Sequence, residues 1–432
     1  MQKQSTISVI LFFLFFHSLP AQTNVSGGIF QSTFWLKSKS PYIVTDNLVI
    51  FDNVTLTIQA GVVVKFNDNT SLEVRNGKLI ALGTKQDSII FTSNNQNPQK
   101  GSWKGITVVS NTDPLGQGEQ IKMAYCKGLY SELFLNLDIA YHTPYTFDNC
   151  VFENNKKAFY DGFNRGVRIN NSLFCNNDIG IDQGLQYIVS KSIFDGNKKG
   201  AIAVLEIDSC KFINNTEYAL LPYGSTTNNL FLNNKIASKE GYFNNANNKF
   251  TGNVIKDNEI GVQILTFFTG SINFSGNTIC NNKIYNIQRG NIDGQSGNNN
   301  LTDLSNNCWC TNDLTLVEEK ILDAKDDVSL GLVTVIPFSG SCNNSLVSSI
   351  QADENENNFI LSPNPTTGEV TILNDKTKLQ FLTISDLNGK IMKIQKGETE
   401  SNTINLSEYP NGIYFIKIQT LTNFTVKRVM KF

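Results

Sequence analysis

Cys150-Val151-Phe152-Glu153-Asn154-Asn155 opens a stretch in which one phrase, an apolar residue followed by asparagines, keeps returning. It comes back as Leu173-Phe174-Cys175-Asn176-Asn177, Ile193-Phe194-Asp195-Gly196-Asn197, Lys211-Phe212-Ile213-Asn214-Asn215, Leu230-Phe231-Leu232-Asn233-Asn234, Lys249-Phe250-Thr251-Gly252-Asn253 and Thr278-Ile279-Cys280-Asn281-Asn282. From Phe152 to Phe250 the aromatic positions lie 22, 20, 18, 19 and 19 residues apart, a period that marks a repeat architecture. The segments between, such as Gly200-Ala201-Ile202-Ala203-Val204 and Ile260-Gly261-Val262-Gln263-Ile264, are too short for helix pairs. They alternate like strands bounded by Gly and Asn. A right-handed parallel β-helix satisfies all of this: each repeat is one coil, and equivalent residues stack about 4.8 Å apart on neighbouring coils. Asn tolerates the left-handed backbone of a sharp corner, stacked amides can hydrogen-bond as a ladder, and the phenylalanines stack inside. About a dozen coils are expected between Tyr42 and Cys310, with Phe152, Phe174, Phe194, Phe212 and Phe231 in one inward column.

These residues resemble the secreted bacterial right-handed β-helix family, which includes pectate and alginate lyases, polygalacturonases and non-catalytic surface proteins. From Tyr42 to Ser110 the coils are longer and more apolar, with Gly61, Gly77 and Gly83 at corners. Leu56-Thr57-Ile58-Gln59-Ala60-Gly61, Leu79-Ile80-Ala81-Leu82-Gly83-Thr84 and Trp103-Lys104-Gly105-Ile106 are similar to opening coils of β-helical surface proteins from Bacteroidetes-type bacteria. Trp103 is read as a packing residue rather than a sugar platform, and Asn111 to Gln120 as a protruding loop. At the far end Thr315 and Glu318 have capping-box spacing for a short helix, and Val333 to Pro337 reads as a closing strand, an order that resembles the family's terminal coil.

Lys3 precedes an apolar run from Ile7 to Phe16 that is too short to span a bilayer, followed by Leu19-Pro20-Ala21 and Gln22. Residues 1–21 are therefore expected to be a secretory signal peptide cut between Ala21 and Gln22. The 36 Lys and Arg against 38 Asp and Glu leave no field to hold nucleic acid or an anionic membrane. With His142 the only histidine outside the leader, a His-based triad or multi-histidine metal site is excluded by count. No metal or cofactor is expected, and the chain is expected to be a monomer. Of the eight cysteines, Cys126 and Cys150 fall in one slot on adjacent coils, compatible with a bridge or a stack of free thiols. Cys175 and Cys280 share a slot too far apart to pair, and Cys342 is placed to reach Cys308 or Cys310.

Residues 346–357 are polar and acidic without periodicity and read as a linker between a β-helix over 22–345 and a final unit over 358–432. In that unit Pro363-Asn364-Pro365 and Gly368 precede an alternating strand, Asp386 and Gly389 flank a hairpin turn, and Gly412 and Tyr414 begin another strand. Lys427 lies in the last one. Strands of this number make a small β-sandwich. The three motifs, in this order, resemble the type A C-terminal sorting domain of the type IX secretion system. The resemblance implies passage through the periplasm, contact with the secretion machinery and its sorting peptidase, and a place at the surface of a Gram-negative cell or outside it.

Family lyases use a basic residue beside a carboxylated sugar, and family hydrolases use paired carboxylates. The candidates here are Asp161, Arg165 and Arg168 around one coil, with Asp182 and Lys191 on the next, as a ligand-binding groove. No catalytic residue is assigned. A non-catalytic protein that binds glycans or partner proteins along the solenoid is the first reading; a secreted polysaccharide lyase or glycoside hydrolase is the alternative.

Overall fold

The computed structural model describes residues 22–109, 120–139, 145–162, 166–240, 248–264, 273–290, 302–342, 359–373, 379–386, 391–397, 402–420 and 424–431. The expected signal peptide, with Ala21, lies outside them, as do Arg165, Gly389, residues 111–119 of the expected loop and the linker. Gln120, expected to end that loop, is instead buried, its Oε1 accepting from the Tyr145 hydroxyl at 3.1 Å. Two compact units divide after residue 344.

The first unit is a parallel solenoid with three strand-bearing sides. Rungs of the first sheet follow one another at 23–25, 42–44, Val63–Phe66, Ile89–Ser93, Cys126–Leu129, Val151–Glu153, Leu173–Cys175, Ile193–Asp195, Lys211–Ile213, Leu230–Leu232, Val254–Lys256 and Thr278–Cys280. Among the described residues these strands mark twelve coils, eleven of them from Tyr42 onward, and Cys308 continues the stack by pairing with Thr278. Phe152, Phe174, Phe194, Phe212 and Phe231 stand opposite one another in register, all at 0% exposure. From Phe174 to Phe231 the rings stack at centroid separations of 4.7, 4.7 and 4.9 Å, the coil spacing itself.

Phe250 does not continue that column. Ile255 follows Phe231, and Phe250 packs on Phe274 in the third sheet. The reason is coil length: the asparagine steps are 22, 20, 18 and 19 residues down to Asn234 and then 24. From there the apolar-Asn phrase occurs twice per coil, once at each of two corners.

Each Asn-Asn pair divides its labour. The first member takes the left-handed backbone, as at Asn154, Asn176, Asn214, Asn233 and Asn281 with φ between 53° and 58°. The second is buried and forms a ladder through Asn155, Asn177, Asn197, Asn215, Asn234, Asn258 and Asn282. From Asn177 onward each Oδ1 accepts both the backbone N–H and the Nδ2 of the residue one coil before, while Asn155 Oδ1 accepts Ser131 N and Oγ; Asn215 Oδ1 receives Asn197 N at 3.1 Å and Nδ2 at 3.2 Å. The remaining Nδ2 hydrogen donates to a carbonyl, Phe194 O for Asn215 at 3.0 Å. A second ladder runs through Asn229, Asn253, Asn277 and Asn307. The amides of both ladders are thereby satisfied.

At the wide early coils Trp103 is fully buried, stacks on Phe66 with centroids 3.9 Å apart and donates Nε1 to Leu129 O at 2.8 Å. It is a packing residue. Beside it Gly105, at φ 117°, lies where a Cβ would come 1.6 Å from Leu133 O, so only glycine fits. The far end is closed by a helix over Leu314–Glu318 and by Val333–Thr334 pairing with Thr302–Asp303. The helix is capped by Asp313, whose Oδ1 accepts from Thr315 N at 2.9 Å, and not by the expected Thr315–Glu318 box; Glu318 pairs with Lys325 instead. Cys308 joins Cys342, and Cys280 joins Cys310, the latter a pairing that spacing did not suggest.

The second unit packs a three-stranded antiparallel sheet (Ile360–Ser362, Glu369–Leu373, Asn402–Asn405) on a four-stranded one (Ile391–Lys396, Leu379–Asp386, Gly412–Thr420, Phe424–Lys431) around Val370, Leu382, Ile416 and Val429. It is the expected small sandwich.

Replacing Phe212 by Ala is expected to cost about 3–5 kcal/mol in chemical unfolding, because a buried ring is lost and a cavity left. Asn215→Ala should cost about 1–3 kcal/mol for each Asn197 donor left without an acceptor. Losses under about 1 kcal/mol in both variants would contradict the stacked interior.

Candidate functional site

Outward positions of the third sheet form two rows. One runs through Lys122, Thr146, Arg168, Ile188, Glu206 and Ser225; the other through Ala124, Asp148, Asn170, Ser190, Asp208 and Thr227. Their alternation with buried Met123, Phe147, Ile169, Val189 and Ile207 is what keeps polar groups outside. The second row is hydrogen-bonded in two stretches, Asp148 to Ser190 and Asp208 to Thr227. Asn170 Nδ2 donates to Asp148 Oδ1 at 2.9 Å, Ser190 Oγ to Asn170 Oδ1 at 2.5 Å, and Thr227 Oγ1 to Asp208 Oδ1 at 2.6 Å. Asn228 Nδ2 and Ser209 Oγ also donate to Asp208, at 2.9 and 2.8 Å. Burial pushes the Asp208 carboxyl up, but these three donors and nearby Lys191 outweigh it and hold it below the usual range. Glu206, Asp208, Ser225, Thr227 and exposed Lys249 line an open depression of about 620 Å³.

The described members of the groove expected from sequence do not come together as one site. Asp161 is fully buried, and it helps to raise the pKa of Tyr187, which burial chiefly pushes up. Tyr187 is itself enclosed and its hydroxyl has no hydrogen-bond partner among the described residues. Asp182 lies on the outer side of the second sheet, opposite Tyr160, in an ion pair with Lys157 at 2.7 Å. Arg168 is exposed on the third sheet, and Lys191 turns the next corner at φ 49°. A corner therefore separates Asp182 from Arg168, and Asp161 faces the interior. Of the expected set, Arg168 and Lys191 share a side with the polar rows. Asp148, Asn170, Ser190, Glu206, Asp208 and Thr227 were missed; the outward alternation in each third-sheet strand carries that signal once the coil lengths are known. Among the described residues no group of three His, Cys, Asp or Glu side chains is placed to hold a metal ion.

In the second unit Tyr414 donates its hydroxyl to Pro410 O at 2.6 Å, and Gly368 accepts from Leu406 N at 2.7 Å where a Cβ would meet Ser407 Oγ at 2.4 Å. Pro363, Asn364 and Pro365 lead into the strand Glu369–Leu373, Asp386 ends the strand Leu379–Asp386, Gly412 starts the strand Gly412–Thr420, and Lys427 pairs with Ile416. Residues 361–431 match the family described as a secretion system C-terminal sorting domain. The second unit is a sorting domain. It indicates export by the type IX secretion system to the cell surface or beyond, and implies contact with that machinery. Residues 28–124 match a pectate-lyase like beta helix domain. Among solved structures the chain is similar to the A-module of the Azotobacter vinelandii mannuronan C-5 epimerase AlgE6, at 13% identity over 67% of this chain and 76% of that one, TM-score 0.17. It is also similar to the enzymatically active domain of tailspike protein 2 of bacteriophage CBA120, at 11% identity over 90% and 72%, TM-score 0.21. No curated protein matches it in sequence.

Because the folded pKa of Asp208 is depressed, its share of stability is present above the unfolded carboxylate range and is lost as pH falls through the folded value. Asp208→Asn should flatten the acid side of the stability–pH curve below about pH 4. An unchanged acid limb would mean that the Thr227, Asn228 and Ser209 contacts do not hold the charge.

Proposed function

We propose that this is an exported, non-catalytic solenoid that binds glycans along the outer side of its third sheet. The observation that carries this reading is the pair of polar rows: hydroxyls, amides and carboxylates repeat at the coil spacing, a straight track of donors and acceptors suited to a chain of sugar hydroxyls. Its central carboxylate is tied up by three donors, which suits a structural acceptor better than a proton shuttle. Arg168 and Lys191, on the same side, favour glycans bearing some carboxylate. The connections from the second sheet to the third also vary most in length, from none in the continuous strands Lys199–Asp208 and Tyr218–Thr227 to the long joint between Val109 and Ile121, and in solenoids such variable joints tend to border the binding side.

The second reading, a lyase or hydrolase, rests on Glu206 and Asp208, two residues apart on one side of a strand, beside Lys249. The two separate in one experiment. The exported protein is incubated with neutral and acidic glycans while binding, unsaturated products and new reducing ends are followed. Binding without turnover, weakened at least about tenfold by Arg168→Glu for acidic glycans, supports the first. Turnover abolished by Glu206→Gln establishes the second.

Export begins with the leader carrying the chain into the periplasm, after which the secretion machinery and its sorting peptidase take over from the sorting domain. Deleting residues 358–432 should leave the solenoid folded and trapped in the periplasm, since the two units have separate cores. Surface display of the truncated chain would refute the route.

A further inference from the structure

The two ends of the solenoid are built differently. The far end is covered by a helix, a closing strand pair and two disulfides. At the near end the strand Thr23–Ile29 pairs only with Tyr42–Ile50, and Thr33–Trp35 only with Thr55–Ile58, so each leaves one row of backbone groups unmet among the described residues. Around them Asn24, Val25, Gly28, Ile29, Phe30 and Trp35 line an open depression. Phe30 and Phe34 stand 71% and 70% exposed. Phe30 stacks on Phe51 at 4.7 Å, over a Gly28 whose Cβ would strike both rings.

Exposed strand edges are ordinarily guarded by Lys, other charges or Pro. Residues 22–36, Gln-Thr-Asn-Val-Ser-Gly-Gly-Ile-Phe-Gln-Ser-Thr-Phe-Trp-Leu, contain neither a charged side chain nor a proline. The geometry points to a second copy of this chain as the occupant, docked near end to near end about a twofold axis. An uncharged edge does not repel itself, so it is complementary to its own copy. The far end's last strands, Ile321–Leu322 and Val333–Thr334, flank Asp323, Lys325, Asp326 and Asp327, charges that guard that edge and do not suit an uncharged one, which leaves the closed, isologous pair. In it Thr23–Ile29 meets its mate antiparallel about an axis near Ser26. Residues 22–36 with the 48–53 turn behind them supply about 20 residues a side, at the lower bound of a stable interface. The proposed pair differs from the monomer expected from sequence.

The test measures the molar mass of the exported protein by light scattering over a wide concentration range, for the native chain and for Phe30→Lys/Phe34→Lys. The native chain should be a dimer, and the variant should dissociate with a Kd raised at least about a hundredfold, as like charges meet across the axis. Both substituted rings are largely exposed and only the Phe30–Phe51 stack is lost, so the monomer should stay folded with a slightly lowered unfolding temperature. In parallel, Ser26→Cys under mild oxidation should give a covalent dimer that the native chain does not. A native monomer at all concentrations overturns the proposal. So does a dimer that survives both lysines and yields no Ser26→Cys cross-link, or a complex containing any other protein.

Discussion

The structure depends on one interaction: an asparagine side chain accepting the backbone N–H and the amide of its counterpart one coil away. A buried amide without partners costs several times what a satisfied one contributes, so each rung can settle only where the next rung's Asn stands directly beneath it. Apolar stacking alone would not impose this. Phenylalanines slide against one another at little cost, whereas a shift of one residue would orphan Asn197, Asn215 and Asn234 together. The ladder thus fixes register, and the ring column follows it.

Fixed register is what gives the outer side its character. Coil lengths change from 18 to 24 residues, yet the corner residues stay aligned, so the slack is taken up in the joints between second and third sheets. The third-sheet strands therefore start again at matched positions. Asp148, Asn170, Ser190, Asp208 and Thr227 line up although their sequence spacing is irregular. A ligand with its own repeat would meet a polar group of this row at each of these coils, which an array of surface loops could not offer.

How much of this could be read from sequence depends on which constraint each residue obeys. The column from Phe152 to Phe231 was legible because the ring spacing equals the coil length there. Phe250 was misplaced because a coil of 24 residues holds the phrase twice and periodicity alone cannot say which copy continues the column. The sorting domain was legible since Pro363-Asn364-Pro365, Asp386 and Gly412 mark turns and strand ends. The candidate groove was not, for Asp161 and Asp182 stand in the same place in successive coils' sequence only to within one residue. On a strand one residue is the difference between interior and surface. Second-sheet rungs such as Lys157–Tyr160 bury two neighbours in succession, which breaks the parity that a reader would have used.

The cysteines follow the same logic of slots. Cys150 N donates to Ser172 Oγ, Ser172 N to Ser192 Oγ, Ser192 N to Cys210 Sγ and Cys210 N to Asn229 Oδ1, at 2.8 to 3.4 Å. The second asparagine ladder is thus continued toward the near end by smaller side chains, and Cys210 serves in it as an acceptor. A disulfide would remove that role, and the buried thiols of Cys126 and Cys210 are both pushed up, Cys210 to about 12, so thiolate for exchange is scarce. Cys126 and Cys150 stay reduced although adjacent. At the cap no further coil supplies an acceptor ladder, and there Cys280, Cys308, Cys310 and Cys342 close covalently what stacking can no longer hold.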